Sequence, residues 1–326
     1  MLVMEGEDSR ASAVRSWLDG LSDFRDGELA VASADASFRR YFRLTRNGDT
    51  FVVMDAPPDK EPCEPFVRIA GLLRQAGVRV PQILAQDLDQ GFLVLTDFGD
   101  LHYQEALGGP GRDNLYDLAL AEILKLQTGL LEEAEDLPAY DEAWTRMELE
   151  IFREWCHPNL PEAEYGEVVD PLVRAFLEQP QVFVHRDFHC RNLLVLPDGQ
   201  PGVIDFQGAL RGPVTYDPVS LLRDCYVNND ENWVRAKALT HKNGLVAAGL
   251  LPPSLPEEDF LRWFDYVGLQ RHLKCIGIFH RLKLRDGKGG YLDDVPRVLG
   301  YVQQVLSRWP ELDKLRSVVS TANLLA

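Results

Sequence analysis

The most constraining feature of the sequence is a polar loop framed by short apolar runs between residues 182 and 205. The loop spans 185–192, and two further apolar runs, separated by a Pro-Asp-Gly turn, lead from it to Asp205. Short apolar runs around a turn are typical of buried strands, so we expect them to hold Asp187, Asn192 and Asp205 at one edge. Carboxylate and amide oxygens suit Mg²⁺ and a bound phosphate better than they suit zinc. The segment therefore predicts a site for magnesium and phosphate.

The same loop allows two other interpretations. His185, Asp187 and His189 form a His-x-Asp-x-His pattern that is found in some zinc hydrolases, but such a site needs further ligands, and the five other histidines lie in no supporting motif. Alternatively, the polar side chains could serve only to cap the backbone of their own loop. The spacing of four polar positions within a strand context favours the magnesium interpretation over both.

The composition narrows the class of partner. With 51 acidic against 34 basic residues the net charge is −17, which argues against nucleic acid as a partner because phosphate backbones need a basic surface. We find neither a signal-peptide pattern in the first ten residues nor an apolar run of about 18 residues, so we expect no membrane association. The cysteines are odd in number and scattered, which is typical of reduced thiols: Cys63, Cys156, Cys190, Cys225 and Cys275. We expect a cytoplasmic monomer.

The pattern of apolar residues changes near residue 100. Before it, the periodicities predict three strands, a helix over 62–76 and two more strands, with an Asn-Gly hairpin turn at 47–48. After it, long amphipathic helices dominate, interrupted by the strand-and-loop section of 181–212. The sequence therefore predicts an α+β fold of two lobes. We place a small β-rich, nucleotide-binding N-lobe at 1–96 and a larger, mostly helical, catalytic and sugar-binding C-lobe at 97–326.

The order His-x-Asp-x-His-x-x-Asn at 185–192, followed by Ile-Asp-Phe at 204–206, resembles the aminoglycoside phosphotransferase and choline kinase superfamily, whose members are relatives of the protein kinases. The resemblance extends over nearly the whole chain. It implies a protein-kinase-like bilobal fold that uses ATP and Mg²⁺. It further implies that Asp187 accepts the proton of the acceptor hydroxyl, that His189 lies near the transferring phosphate, and that Asn192 and Asp205 bind the metal.

The N-lobe departs from the kinase pattern in two places. No Gly-x-Gly-x-x-Gly loop is present, and small residues from Ser33 onward take its place near the phosphates. The third strand carries Met54 where a phosphate-pairing lysine is expected, so we expect an arginine on the neighbouring strand to substitute for it and favour Arg40 over Arg43.

The segment that joins the lobes contains Asp97-Phe98-Gly99, which spells the metal-binding tripeptide of protein kinases. It precedes the catalytic loop, whereas the tripeptide should follow it, so Asp205 is the better counterpart. We expect Leu95 and Asp97 to belong to a hinge that contacts the adenine through backbone groups.

The segments that resemble kinases of one substrate class most closely are ASFRRYFRL, HRDFHCRNLL and QRHLKCIGIFHRL. That class phosphorylates the anomeric hydroxyl of N-acetylmuramate and N-acetylglucosamine in cell-wall recycling. The resemblance therefore implies a small-molecule amino sugar as the acceptor. Two alternatives remain. The acidic charge would suit an aminoglycoside- or choline-type kinase with a cationic acceptor, and the missing N-lobe lysine would suit an inactive, nucleotide-binding pseudokinase.

Basic residues are concentrated on one predicted helix near residues 261–284 of this acidic chain. Arg271, Lys274 and Arg281 lie on or beside one helical face, where arginine could pair with a sugar carboxylate. Ion pairs with neighbouring helices are the competing interpretation of the same three residues.

Overall fold

A computed structural model describes residues 9–34 and 38–324, with the side chains of Ser33 and Ala34 excepted. Within these residues the chain forms nine strands and twelve α-helices. The strands are β1 Glu28–Ala34, β2 Arg40–Arg46, β3 Asp49–Asp55, β4 Ile83–Asp87, β5 Phe92–Thr96, β6 Gln181–Val184, β7 Leu193–Val195, β8 Pro201–Val203 and β9 Leu210–Pro213. The helices are α1 Ser9–Asp19, α2 Glu64–Gln75, α3 Tyr103–Ala106, α4 Arg112–Gly129, α5 Leu131–Ala134, α6 Glu142–Cys156, α7 Glu162–Leu177, α8 Tyr216–Leu222, α9 Glu231–Ala247, α10 Glu257–Leu284, α11 Val295–Arg308 and α12 Asp313–Thr321.

The N-terminal part is an antiparallel sheet in the order β1-β2-β3-β5-β4. The β2–β3 turn is the predicted Asn47-Gly48 pair, whose φ angles of 54° and 91° are the left-handed values that a tight hairpin requires. Alternation gives the sheet two apolar faces: Phe42 and Val53 pack in one buried cluster with α1, and Met54 belongs to the cluster that contains α2. The sheet is therefore covered on both sides, and its α2 side continues into the core of the C-terminal part.

The C-terminal part is built around α10, a 28-residue helix that packs against α6, α7, α8 and α11. Gly277 permits the close approach to α6, because a Cβ there would lie 2.7 Å from the backbone of Ile151. Two short antiparallel pairs, β6–β9 and β7–β8, lie at the edge of this helical body that faces the sheet. The predicted α+β bilobal architecture is confirmed, and the N-terminal sheet ends along the chain with β5, whose last residue is Thr96.

The structure sets helix boundaries that the sequence pattern left undefined. Helix α8 ends at Leu222, because Arg223 is buried against Asp265 and the following residues turn toward the catalytic loop. Helices α11 and α12 are separated by a turn that begins at Pro310, a residue that cannot continue a helix. The short elements α3, α5 and β9 were not predicted. None of the described helices has the length and apolarity needed to cross a bilayer.

Candidate active site

The predicted catalytic loop, 185–192, connects β6 to β7 and is held by Asp217 at the start of α8. One carboxylate oxygen of Asp217 accepts the backbone N–H of His185 at 2.7 Å, and the other accepts that of Arg186 at 3.0 Å. These bonds hold Arg186 at φ 79°, a left-handed conformation that is costly for any residue other than glycine. Asp217 is thus a loop brace, and it fixes the backbone directly before Asp187.

His185 has a structural role in the loop. Its ring Nε2 lies 3.1 Å from the carbonyl oxygen of Ile204, so it joins the start of the loop to the residue before Asp205. Burial lowers the pKa of His185 to about 4, so its ring is neutral at physiological pH. A neutral ring donates to the carbonyl and needs no counter-ion in the core.

Asp187 lies among positive groups. Burial by itself would raise the pKa of Asp187, but His189, Lys274 and Arg186 favour its charged form, and the net effect is a lowered pKa. An ionised carboxylate at this position can accept a proton or orient a hydroxyl.

Asn192 links the other two predicted groups. Its Nδ2 donates to the backbone carbonyl of Asp187 at 3.0 Å and to Oδ2 of Asp205 at 3.2 Å. Gln207 donates to the other oxygen of Asp205 at 2.7 Å, and Asp205 itself has a φ of 62°. The structure therefore brings Asp187, Asn192 and Asp205 into one hydrogen-bonded group, as predicted from their spacing.

The oxygens of this group fit a magnesium ion. A carboxylate and an amide carbonyl are hard ligands, and Mg²⁺ at phosphoryl-transfer sites takes its remaining ligands from phosphate and water. Across the described ranges no three His, Cys, Asp or Glu side chains are grouped closely enough to hold a metal. The zinc interpretation of the His-x-Asp-x-His pattern therefore has no support in the described residues.

His189 is largely buried beside this group. Its ring meets Tyr226 edge to face at 5.5 Å, and in the described structure its Nδ1 is buried without a hydrogen-bond partner. Burial lowers the pKa of His189, while the carboxylates of Asp224 and Asp187 oppose that effect. The buried Nδ1 therefore has no protein partner among the described residues, and the transferring phosphate is the ligand that we predicted for His189.

A cavity of about 360 Å³ lies between the sheet and the catalytic loop. Asn192 and Asp205 line it from the C-lobe, and Leu95 and Asp97 line it from the segment that joins the lobes. The cavity therefore connects the predicted adenine hinge with the predicted metal ligands. Ser33 is the penultimate residue of β1, but its side chain and residues 35–37 of the expected phosphate loop lie outside the described residues.

The structure does not place Arg40 in this cavity. Arg40 lies on the face of the sheet that carries α1, where its Nε donates to the buried carboxylate of Asp55 at 2.9 Å. Arg43 lines the cavity instead, bound to Asp97 at 2.7 Å and to Asp100 at 2.8 Å. Residues three apart on a strand point to opposite faces, and α1 covers the face of Arg40. Arg43, and not Arg40, is therefore the arginine of this strand that lines the cavity, and which of the two pairs with phosphate stays a prediction.

The three basic residues predicted to bind the acceptor have different environments. Lys274 is buried, and its Nζ lies 3.0 Å from Glu148 of α6 and 3.0 Å from the Tyr216 hydroxyl. Arg271 is also buried and donates to the Cys225 thiol at 3.4 Å. Arg281 lies near the C-terminal end of α10, about two helical turns beyond Lys274. Lys274 and Arg271 thus lie near Asp187 and His189, and Lys274 forms the interhelical ion pair that was the competing interpretation.

Glu148 connects the basic side chains beside Asp187, and the sequence did not reveal this role. It accepts from Arg186 at 2.8 Å as well as from Lys274, and Gln270 donates to it at 3.1 Å. Burial alone would raise the pKa of Glu148, but Lys274, the Tyr140 hydroxyl and Arg186 lower it to about 2. The only sequence signal for this role is an acidic residue on the apolar face of α6.

Comparison with known proteins agrees with this geometry. The model of the phosphotransferase enzyme family (APH) matches residues 28–249. An N-acetylmuramate/N-acetylglucosamine kinase from Pseudomonas aeruginosa is 45% identical over 97% of both chains. The protein of the same name from Neisseria meningitidis is 40% identical over 95% of both.

Solved structures share the fold at low identity. An ADP-bound aminoglycoside phosphotransferase superimposes with a TM-score of 0.57 at 16% identity, covering 90% of this chain and 98% of its own. A choline kinase from Streptococcus pneumoniae superimposes with a TM-score of 0.59 at 11% identity, covering 91% of this chain and 99% of its own. Together with the family match and the loop geometry, these similarities confirm the predicted resemblance: the chain belongs to the phosphotransferase enzyme family (APH).

Proposed function

We propose that this chain is a kinase that transfers the terminal phosphoryl group of ATP to the anomeric hydroxyl of N-acetylmuramate and N-acetylglucosamine. The observation that carries the proposal is the hydrogen-bonded group of Asp187, Asn192 and Asp205 beside a cavity between the lobes. Relatives with 40–45% identity over almost their full length bear the name of this activity, which supports the choice of acceptor.

The chemistry follows from the positions of the groups. The acceptor oxygen forms a bond to the terminal phosphorus, the bond to the oxygen that bridges to the next phosphate breaks, and the acceptor proton passes to Asp187. Asp187 can take that proton because its surroundings keep it ionised. Asn192 and Asp205 would hold Mg²⁺, which supplies positive charge to the phosphates. Most of the rate enhancement in such a site comes from positioning and charge neutralisation.

The electrostatics of the acceptor side favour a neutral or anionic acceptor over a cationic one. The buried carboxylate of Glu148 is already paired with Arg186 and Lys274, so it has little capacity left for an ammonium group. Arg271 adds a third cation in the same region, near His189. These charges support an amino sugar, with or without a carboxylate, over an aminoglycoside or choline.

On the nucleotide side, we infer that Arg43 positions the residues that form the cavity wall. It holds Asp97 and Asp100, both in the segment that joins the lobes, so its loss would loosen the hinge expected to contact adenine. The five cysteines are free, which supports a reducing compartment such as the cytoplasm.

The test is ADP release by the purified protein with ATP and Mg²⁺, using N-acetylglucosamine, N-acetylmuramate, kanamycin and choline in parallel. We expect turnover with the two amino sugars only. Asp187→Asn should abolish it, and Asp117→Asn, at a C-lobe carboxylate that is half exposed and pairs with Lys237, should not. Turnover with kanamycin or choline would identify a cationic acceptor instead, and ATP binding without turnover on any acceptor would identify a pseudokinase.

A further inference from the structure

Two of the five cysteines meet beside the catalytic loop. Cys225 lies three residues after the end of α8, Cys275 lies on α10, and the two side chains share one apolar cluster in which their thiols interact. The guanidinium of Arg271 donates to the sulfur of Cys225 at 3.4 Å. Cys225 is buried, whereas Cys275 retains part of its exposure. The pair is thus a dithiol with one member less buried than the other and a cation at its side.

The surroundings make Cys275 the reactive member. The hydrogen bond from Cys225 is the main cause that lowers the pKa of Cys275, and the charges of Arg271 and Lys274 act in the same direction. The thiolate, and not the thiol, is the nucleophile in cysteine chemistry. A partly exposed cysteine with a low pKa and a second thiol in contact has the features of an oxidation-sensitive site.

The residues that flank Cys225 support the catalytic loop directly. The carboxylate of Asp224 accepts the backbone N–H of Cys190 at 2.8 Å and that of Tyr226 at 2.9 Å. The ring of Tyr226 meets His189, and the guanidinium of Arg191 lies 3.4 Å from its centre. A displacement of Cys225 would therefore be transmitted to three consecutive residues of the loop, 189–191.

We propose that Cys225 and Cys275 are an oxidisable pair that a peroxide converts into a disulfide, and that this disulfide suppresses phosphoryl transfer. This redox regulation is separate from the proposed catalytic function. The Cys275 thiolate attacks one oxygen of hydrogen peroxide, and the product after proton transfer is a sulfenic acid and water. The Cys225 sulfur then attacks the sulfenic sulfur, a second water leaves and the S–S bond forms. Two thiols are oxidised and one peroxide is reduced to two waters.

The disulfide should displace the catalytic loop because Cys225 and Cys275 differ in their freedom to move. A disulfide bond of about 2.05 Å is much shorter than a hydrogen bond between thiols, so one cysteine must move. Cys275 lies within a long packed helix, whereas Cys225 lies in an irregular segment between α8 and α9. Cys225 should therefore move toward α10 and draw Asp224 and Tyr226 with it. Misplacement of catalytic groups by about 1 Å can cost roughly 100-fold in rate.

The test treats the reduced, full-length protein with hydrogen peroxide and maps peptides by mass spectrometry under non-reducing conditions. We expect a cross-linked pair of peptides containing Cys225 and Cys275, a loss of two titratable thiols, and a fall in turnover of about 100-fold that dithiothreitol reverses. The cross-link is read from peptide masses alone, so it is measured whether or not the proposed acceptor is correct.

Two variants at the pair and one elsewhere make the test specific. Neither Cys275→Ser nor Cys225→Ser can form the cross-link, so both variants should keep most of their turnover after peroxide treatment. Cys156→Ser, at a buried cysteine on α6, should respond as the unmodified protein does. Absence of the Cys225–Cys275 peptide, full activity of the cross-linked protein, or equal inhibition of Cys275→Ser would each overturn the proposal.

Discussion

Glu148→Gln should destabilise the protein because the buried carboxylate of Glu148 pairs with two cations. The Glu148 side chain is 3% exposed, and its oxygens lie 2.8 Å from Arg186 and 3.0 Å from Lys274. Glutamine has nearly the same shape but no charge. Its amide can retain part of the hydrogen bonding, yet Arg186 and Lys274 then lie close together in the core without the carboxylate that pairs with both of them.

The expected magnitude can be obtained in two ways. Burial opposes the charge of Glu148, yet Lys274, Tyr140 and Arg186 lower its pKa from an ordinary 4.5 to about 2. At 1.36 kcal/mol for each pH unit, that difference corresponds to about 3 kcal/mol of stability at pH 7. Breaking a buried ion pair by removing one partner typically costs about 3–5 kcal/mol. We therefore expect the free energy of unfolding to fall by about 3 kcal/mol.

The effect should depend on pH in a defined direction. Because the pKa of Glu148 is lower in the folded state, its stabilisation is complete above the ordinary value near 4.5 and is lost as the pH falls toward 2. The difference in unfolding free energy between Glu148→Gln and the unmodified protein should therefore be constant from pH 7 to about pH 5 and become smaller below it.

Urea unfolding at several pH values measures this difference. The matched control is Glu142→Gln on the same helix, because Glu142 is 57% exposed and pairs with Arg146 at the surface. Surface pairs contribute about 0–1 kcal/mol, so the control should be nearly neutral. A loss below about 1 kcal/mol for Glu148→Gln at pH 7, or a loss equal to that of the control, would show that Glu148 does not stabilise the two buried cations.

Two further predictions concern the nucleotide. Asp205→Asn should abolish the dependence of ATP binding on Mg²⁺, measured by calorimetry with and without the metal; unchanged dependence would move the metal elsewhere. Arg43→Ala should raise the KM for ATP more than Arg40→Ala does, because only Arg43 lines the cavity between the lobes. Arg40→Ala should instead lower the melting temperature, since it leaves the buried Asp55 with fewer partners. A larger increase in the KM for ATP with Arg40→Ala than with Arg43→Ala would place Arg40 in the nucleotide site.

The sequence predicted best where the relevant information is local. Asp187, Asn192 and Asp205 lie within 19 consecutive positions, and the apolar runs between them form the short strands that bring them together. The Asn47-Gly48 turn likewise encodes its own left-handed conformation. Both predictions depend on residues that are neighbours along the chain.

The sequence could not reveal the contacts that depend on distant elements. Alternation indicates that Arg40 and Arg43 face opposite sides of the sheet, but only the packing of α1 shows which side is covered. The pairing of Lys274 with Glu148 joins residues on two helices that Gly277 allows to approach closely. Arg271 was predicted from helical spacing alone, and its contact with Cys225 could not be inferred from one helix.

We propose that Asp187 promotes transfer of phosphate from ATP to the anomeric hydroxyl of an amino sugar. The anomeric hydroxyl is the reducing end of a free sugar, so its phosphorylation removes that reactivity. The most direct measurement therefore counts reducing ends lost and ADP formed in the same reaction with N-acetylglucosamine. We expect one reducing end to disappear for each ADP with the unmodified protein, and neither change with Asp187→Asn. Formation of ADP while the reducing ends persist, or unchanged turnover by Asp187→Asn, would contradict the claim.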